Sequence, residues 1–217
     1  PHDLCRRQRQ MCIRDRDTVG KVLQGNEVKI SEDGEILARG ELIMNGYWND
    51  PESTNKTIID GWVHTGDIGE FDEEDYLKIT DRKKDIIVNA GGDNISPSRI
   101  EAKLDIEPEI AQSMLYGDFK NYLVAILVPN KDLALEWAKE NNVEGDLNEI
   151  IQDSSFNKKM KEVVDKVNKS LSSIEQIRKF ILIDHEFTIE NNMMTPSMKV
   201  RRFKVKEMYG ENLEKLY

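Results

Sequence analysis

The run Tyr122–Val128, "YLVAILV", ended by Pro129, constrains the fold more than any other stretch of this 217-residue sequence. Side chains in a strand alternate between two faces, so an unbroken apolar run demands burial on both. Such a strand belongs inside a sheet with packed layers above and below it. "FILI" at 180–183 is the expected companion strand. Between them, Leu147, Ile150, Ile151, Met160, Val163, Val164, Val167 and Leu171 recur at helical spacing, which predicts core-facing helices with no catalytic part.

The segment before this block also reads as mixed α and β. "DIIV" at 85–88 predicts a buried strand, "NAGGDN" at 89–94 a glycine turn, and Ser96-Pro97 a helix start running through Leu104. Ser98 and Glu101 have the spacing of a capping box. Residues 17–81 read instead as short strands broken by turns: "EVKI", "EILARGELI" and "GEFDEEDYLKI". Asp33-Gly34 marks a hairpin, because glycine supplies the positive φ of a tight turn. The acidic run Asp72–Asp75 reads as a solvated hairpin tip. The expected class is therefore α+β, a β-rich portion followed by a small mixed α/β domain.

Composition sets limits on function. The chain carries 41 acidic and 31 basic residues, a net charge of -10, which argues against nucleic acid or an anionic membrane as the main partner. No apolar run approaches the roughly 20 residues that cross a bilayer, and no signal-peptide pattern opens the chain. The cytoplasm is the default expectation, with peripheral contact at the inner face of a membrane left open. Cys5 and Cys12 both fall in the first sixteen residues, leaving the body without a disulfide framework or thiol nucleophile. His2, His64 and His185 form no metal-ligand spacing, so no protein-held transition metal is expected. Residues 1–16 are basic and aperiodic; they read as foreign or junction sequence, with a basic targeting arm as the alternative.

Near the end, "MMTPSMKVRR" at 193–202 sets Lys199 on a Thr-Pro-Ser turn ahead of two arginines. Proline fixes its own φ and lacks an N–H, so Lys199 should lie on a loop entering a short final element. On those ten residues alone, a solvated surface lysine is the simpler reading.

Three stretches taken together change that reading: "GELIMNGYWNDPESTNKTIIDGWVHTGDIGEF" (40–71), "ITDRKKDIIVNAGGDNISPSRIE" (79–101) and "TPSMKVRR" (195–202). In order and spacing they resemble the later core motifs of the adenylate-forming (AMP-binding) enzymes, nearest to bacterial long-chain fatty acyl-CoA synthetases. The resemblance runs from about Asp17 to the end. It implies two half-reactions: a carboxylate attacks the α-phosphate of MgATP to give acyl-AMP and pyrophosphate, and the thiol of coenzyme A then displaces AMP. It further implies that Asp67 binds the ribose hydroxyls, that Arg82 reaches the nucleotide, and that Ile79 packs near it unless it is a strand core residue. Lys84 matches the hinge about which the C-terminal domain reorients, and Gly91-Gly92 the loop facing the pantetheine channel of coenzyme A. Lys199 matches the lysine that neutralises charge developing around the α-phosphate.

Asn191-Asn192 replaces a common Asn-Gly, and Met198 stands where many relatives have Gly or Leu. The family's phosphate loop, adenine pocket and acyl tunnel have no counterpart in residues 1–81. The resemblance thus implies a β-rich end of the large domain over 17–81, a mobile C-terminal domain over 82–217 with its hinge at 82–85, and a missing N-terminal adenylation domain as partner. That domain would also hold most of the Mg2+ contacts. The isolated chain is expected to be inactive. A non-catalytic binding module derived from a synthetase, and an aryl-CoA or carrier-protein-loading ligase, are the rival readings.

Overall fold

A computed structural model describes residues 18–217, so residues 1–16 and the junction reading of them lie outside what is described here. The chain divides into two compact units, the first ending at Lys84 and the second spanning Asp85–Tyr217.

The first unit is built on one antiparallel sheet. Strands β1 (Asn26–Ile30) and β2 (Glu35–Gly40) form the hairpin expected at Asp33-Gly34, with Gly34 at φ +84°. A short helix α1 (Pro51–Thr57), unforeseen in the sequence reading, starts where Asp50 accepts the Ser53 amide at 2.9 Å and Pro51 occupies the first turn. Strands β3 (Ile58–Ile59), β4 (Trp62–Phe71) and β5 (Leu77–Arg82) follow, and the ten-residue β4 pairs with β2, β3 and β5 along successive parts of its length. The acidic run is the exposed tip joining β4 to β5.

One expected strand is shorter than its sequence suggested. "EILARGELI" stops at Gly40, whose φ of +142° leads the backbone away. A Cβ there would lie 2.5 Å from Asn26 Oδ1 and 2.6 Å from the Gly25 carbonyl, so only glycine fits this close approach.

In the second unit, β6 (Ile87–Val88) and β7 (Asn94–Ile95) make a two-stranded ribbon around the glycine turn. "DIIV" thus contributes only its last two residues to a strand. Helix α2 (Pro97–Leu104) begins at Ser96 as expected, which puts Ser98 inside the first turn rather than at the N-cap that a capping box with Glu101 requires. The Glu101 carboxylate accepts the Leu115 amide at 2.6 Å and pairs with Arg202, which draws it away from its own helix start.

The three-stranded sheet that follows has the order β10-β9-β8, from β8 (Ile110–Tyr116), β9 (Leu123–Pro129) and β10 (Ile177–Leu182). β9 lies in the centre, antiparallel to β8 and parallel to β10, and every one of its residues is buried. Leu123, Ala125 and Leu127 face a core supplied by α2, α3 (Lys131–Glu140), α4 (Leu147–Ile150) and α5 (Ser154–Asn168). Val124, Ile126 and Val128 face a second core with Phe187, Met193 and Met194, closed by Val205, Tyr209 and Leu213 of α6 (Arg202–Glu214). Each buried aliphatic side chain contributes about 1.5–3 kcal/mol of transfer free energy, so the two-sided burial read from "YLVAILV" is the main stabilising feature of this unit. The predicted helical core face is present, with Ile151 only partly buried.

Candidate active site

The "HTGD" motif sits in a deformation of the first sheet. Leu37 pairs with His64 and Glu35 with Ile68, so the three residues Thr65, Gly66 and Asp67 oppose the single residue Ile36. A bulge of this kind re-aims the side chains it carries. Gly66 accepts the strain with φ +71°, Thr65 Oγ1 donates to the Ile36 carbonyl at 2.7 Å, and the Asp67 amide donates back to Thr65 Oγ1 at 3.1 Å.

Asp67 leaves the bulge directly across from Arg82 on β5, and its Oδ1 lies 2.8 Å from Arg82 Nε. The two candidate nucleotide residues are thus brought together by strand register. Asp67 is only partly exposed, whereas more than half of the Arg82 side chain faces solvent. Ile79 on the same strand is 44% exposed, which removes the reading of it as a core residue.

Beneath the bulge lies a residue that sequence reasoning missed. Glu35 is 4% exposed and receives the Gly66 amide at 2.9 Å, His64 Nδ1 at 2.9 Å and Lys83 Nζ at 3.0 Å. Lys83 also meets Asp33 Oδ2 at 2.6 Å, and its backbone amide donates to the Gly66 carbonyl at 2.8 Å. Residue 83 is therefore tied by backbone and side chain to the bulge that carries Asp67.

Burial alone would raise the Glu35 pKa, but hydrogen bonds from His64, Lys83 and Gly66 outweigh it and bring the carboxyl below the usual 4.5. Lys83, then Ser31, hold Asp33 down at about 2. Both folded values lie below those of the unfolded chain, so the unfolded state binds more protons in acid. Their stabilisation is complete above about pH 5 and is lost as pH falls through the folded values. Glu35→Gln is expected to cost about 1–3 kcal/mol at neutral pH, because one amide oxygen cannot serve three donors, and to flatten the acid slope. Urea unfolding followed by Trp62 emission, with Trp48 and Trp137 replaced by phenylalanine, checks this; parallel acid slopes for parent and variant would reject it.

In the second unit, the Gly91-Gly92 turn is closed by Asn89. Its Oδ1 accepts the amides of Gly91 and Asp93, both at 2.9 Å, and Gly92 sits at φ +87°. The turn is braced from behind by 117–121, since the Ala90 amide donates to the Lys120 carbonyl at 3.0 Å and the Phe119 amide to the Val88 carbonyl at 2.8 Å. Both glycines are exposed, and a Cβ on Gly92 would meet nothing within 4 Å. The surface over this turn is open.

Lys199 stands on a separate hairpin of the same unit. The Thr195 amide donates to the Lys199 carbonyl at 2.8 Å, and the Lys199 amide donates to Thr195 Oγ1 at 3.1 Å. Met198 holds φ +59°, a left-handed conformation that glycine adopts at lower cost. The stem is anchored by the buried Met193 and Met194, while the Lys199 side chain is exposed. Lys84 is the last residue of the first unit and is exposed.

A family model described as AMP-binding enzyme C-terminal domain matches residues 84–217. The chain belongs to the AMP-binding enzyme family. Among its AMP-binding relatives, the long-chain-fatty-acid–CoA ligase FadD15 of Mycobacterium tuberculosis is 36% identical over 202 residues, covering 92% of this chain and 34% of that protein. The long-chain-fatty-acid–CoA ligase 5 of Rattus norvegicus is 33% identical over 196 residues, covering 88% and 29%. The chain spans about a third of the length of these AMP-binding relatives. Among solved structures, the adenylation domain of a carboxylate reductase from Mycobacterium chelonae superposes with a TM-score of 0.76 at 26% identity, covering 92% of this chain and 32% of that one. The A domain of a carboxylic acid reductase from Segniliparus rugosus, in complex with AMP and a co-purified carboxylic acid, gives a TM-score of 0.71 at 26% identity and covers 94% and 33%.

Among the described residues, no group of three or more His, Cys, Asp or Glu is arranged to hold a metal ion, and no helix is long and apolar enough to cross a membrane. Asp67 offers a carboxylate able to accept hydrogen bonds from vicinal hydroxyls, and Arg82 beside it offers a guanidinium fork of the geometry that meets phosphate oxygens.

Proposed function

We propose that the chain is the C-terminal part of a long-chain fatty acid–CoA ligase, which activates a carboxylate as acyl-AMP with ATP and transfers it to coenzyme A. The single observation that carries this reading is Lys199 on a closed, exposed hairpin within a domain of the AMP-binding family. A preorganised cation of this kind stabilises charge that develops on phosphate. In this reading Asp67 accepts the ribose hydroxyls, Arg82 orients the Asp67 carboxylate and reaches the nucleotide, and Ile79 covers the base or sugar. Magnesium would arrive with ATP and be held mainly outside this chain. The similarity to fatty-acid ligases at 36% identity, against 26% for the reductase domains, favours a coenzyme A acceptor over a carrier protein.

The test joins this chain to the N-terminal two-thirds of the mycobacterial ligase and follows both half-reactions. With palmitate, ATP, magnesium and coenzyme A the fusion is expected to release pyrophosphate and accumulate acyl-CoA, whereas the isolated chain makes neither. Gly92→Leu in the fusion is expected to keep adenylation and slow thioester formation by about tenfold or more, since a side chain would then occupy the open surface over the turn. Pyrophosphate release without any thioester in the unmutated fusion would point to a different acceptor.

A further inference from the structure

We propose that Arg202 is a positioning residue for Lys199, acting through a partly buried ion pair with Glu101; the proposal rests on the reading of Lys199 given above. Arg202 opens α6, immediately after the hairpin. Its guanidinium pairs with Glu101 Oε2 on α2 and donates to the Leu115 carbonyl at 3.4 Å, while Glu101 Oε1 accepts the Leu115 amide at 2.6 Å. Their side chains are 22% and 13% exposed. Leu115 pairs with Ala125 of the fully buried β9, so Arg202 is fastened beside the central strand of the sheet.

The hairpin has little freedom relative to Arg202. The Arg201 amide donates to the Met193 carbonyl at 2.7 Å, Met194 bridges Val200, and Thr195 closes on Lys199. From Met193 to Arg201 the backbone is one stapled loop whose last residue adjoins Arg202. Whatever sets the direction of Arg202 therefore sets the direction of Lys199. An apolar pair in its place would carry no preferred direction; a planar fork shared between a carboxylate and a carbonyl specifies one. The same pair joins α2, which follows the glycine turn, to the segment carrying the lysine.

The experiment compares Arg202→Met, Arg202→Lys, Glu101→Gln and Lys199→Ala in the full-length enzyme, with pyrophosphate release and thioester formation from supplied acyl-adenylate as separate readouts. Arg202→Met is expected to lower kcat for adenylation by about 10- to 100-fold, as misplacement of a catalytic group by roughly 1 Å does. KM for ATP and fatty acid, and the transfer rate, should stay within about twofold. Arg202→Lys should recover part of the loss. In the 217-residue chain, amide exchange at Lys199 should accelerate in Arg202→Met while β8 and β9 stay protected.

Equal losses in both half-reactions, or a parental kcat for adenylation in Arg202→Met, overturn the positioning role. If Arg202→Met does not fold, Arg202→Lys and Glu101→Gln are judged by the same split. Lys199→Ala separates the two levels. A parental adenylation rate in that variant overturns the reading of Lys199 itself, whereas its collapse beside an unaffected Arg202→Met overturns the positioning proposal alone.

Discussion

In the full-length enzyme, Lys199→Ala is expected to slow acyl-adenylate formation by about 10²- to 10³-fold, the usual cost of removing one preorganised donor from a site of developing charge. Transfer of a supplied acyl-adenylate to coenzyme A should be largely spared, because in the proposed role the lysine acts on phosphate charge only while pyrophosphate departs. Folding should be unaffected, since the side chain is exposed and the hairpin is held by Thr195, Met193 and Met194. Pyrophosphate exchange measures the first step and thioester absorbance the second. Equal losses in both would assign Lys199 to folding or to general nucleotide binding.

Lys84→Pro is expected to leave adenylation near the parental rate and to stall the enzyme before the thioester. Lys84 stands where the compact units divide, and Lys83 before it is anchored to Gly66, Asp33 and Glu35. We infer that rotation of the C-terminal domain begins just after this anchor, at Lys84. Proline fixes φ there and restricts the preceding residue, without deleting a group that meets ATP. Accumulated acyl-adenylate with thioester formation lowered about 100-fold or more is the expected signature of a domain that cannot reorient. Distance labels either side of residues 82–85 should report one arrangement for the variant and two for the parent. Gly92→Leu resembles this variant kinetically but keeps both arrangements. A folded Lys84→Pro enzyme running both steps at parental rates would remove the hinge from Lys84.

Several site features were legible before any coordinates. Lys199 on a turn follows from Thr195, Pro196 and Ser197, and the glycine turn at 89–94 from its composition. Asp67 and Arg82 were both singled out by motif, yet nothing in the sequence pairs them. They meet because β4 and β5 align Asp67 with Arg82 in register, fifteen residues apart along the chain. Glu35 gave no signal at all. It reads as an ordinary polar residue beginning a strand, and it becomes the buried acceptor for Gly66, His64 and Lys83 only once β2 lies against the bulge of β4.

The division has a physical basis. By itself the sequence determined what depends on neighbours within a turn or two: the doubly buried strand at 123–129, the helix start at Ser96-Pro97, the hairpin at Gly34 and the helical core face from Leu147 to Leu171. Backbone conformational limits and the periods of 2 and 3.6 act at that range. Only the tertiary structure decided where charged side chains spend their hydrogen bonds. Glu101 had the spacing to cap its own helix, but Leu115 and Arg202 offered an amide and a partly buried guanidinium. Desolvating a carboxylate is costly unless every nearby donor is used, so the partner that shares its burial wins over the partner that is merely close in sequence.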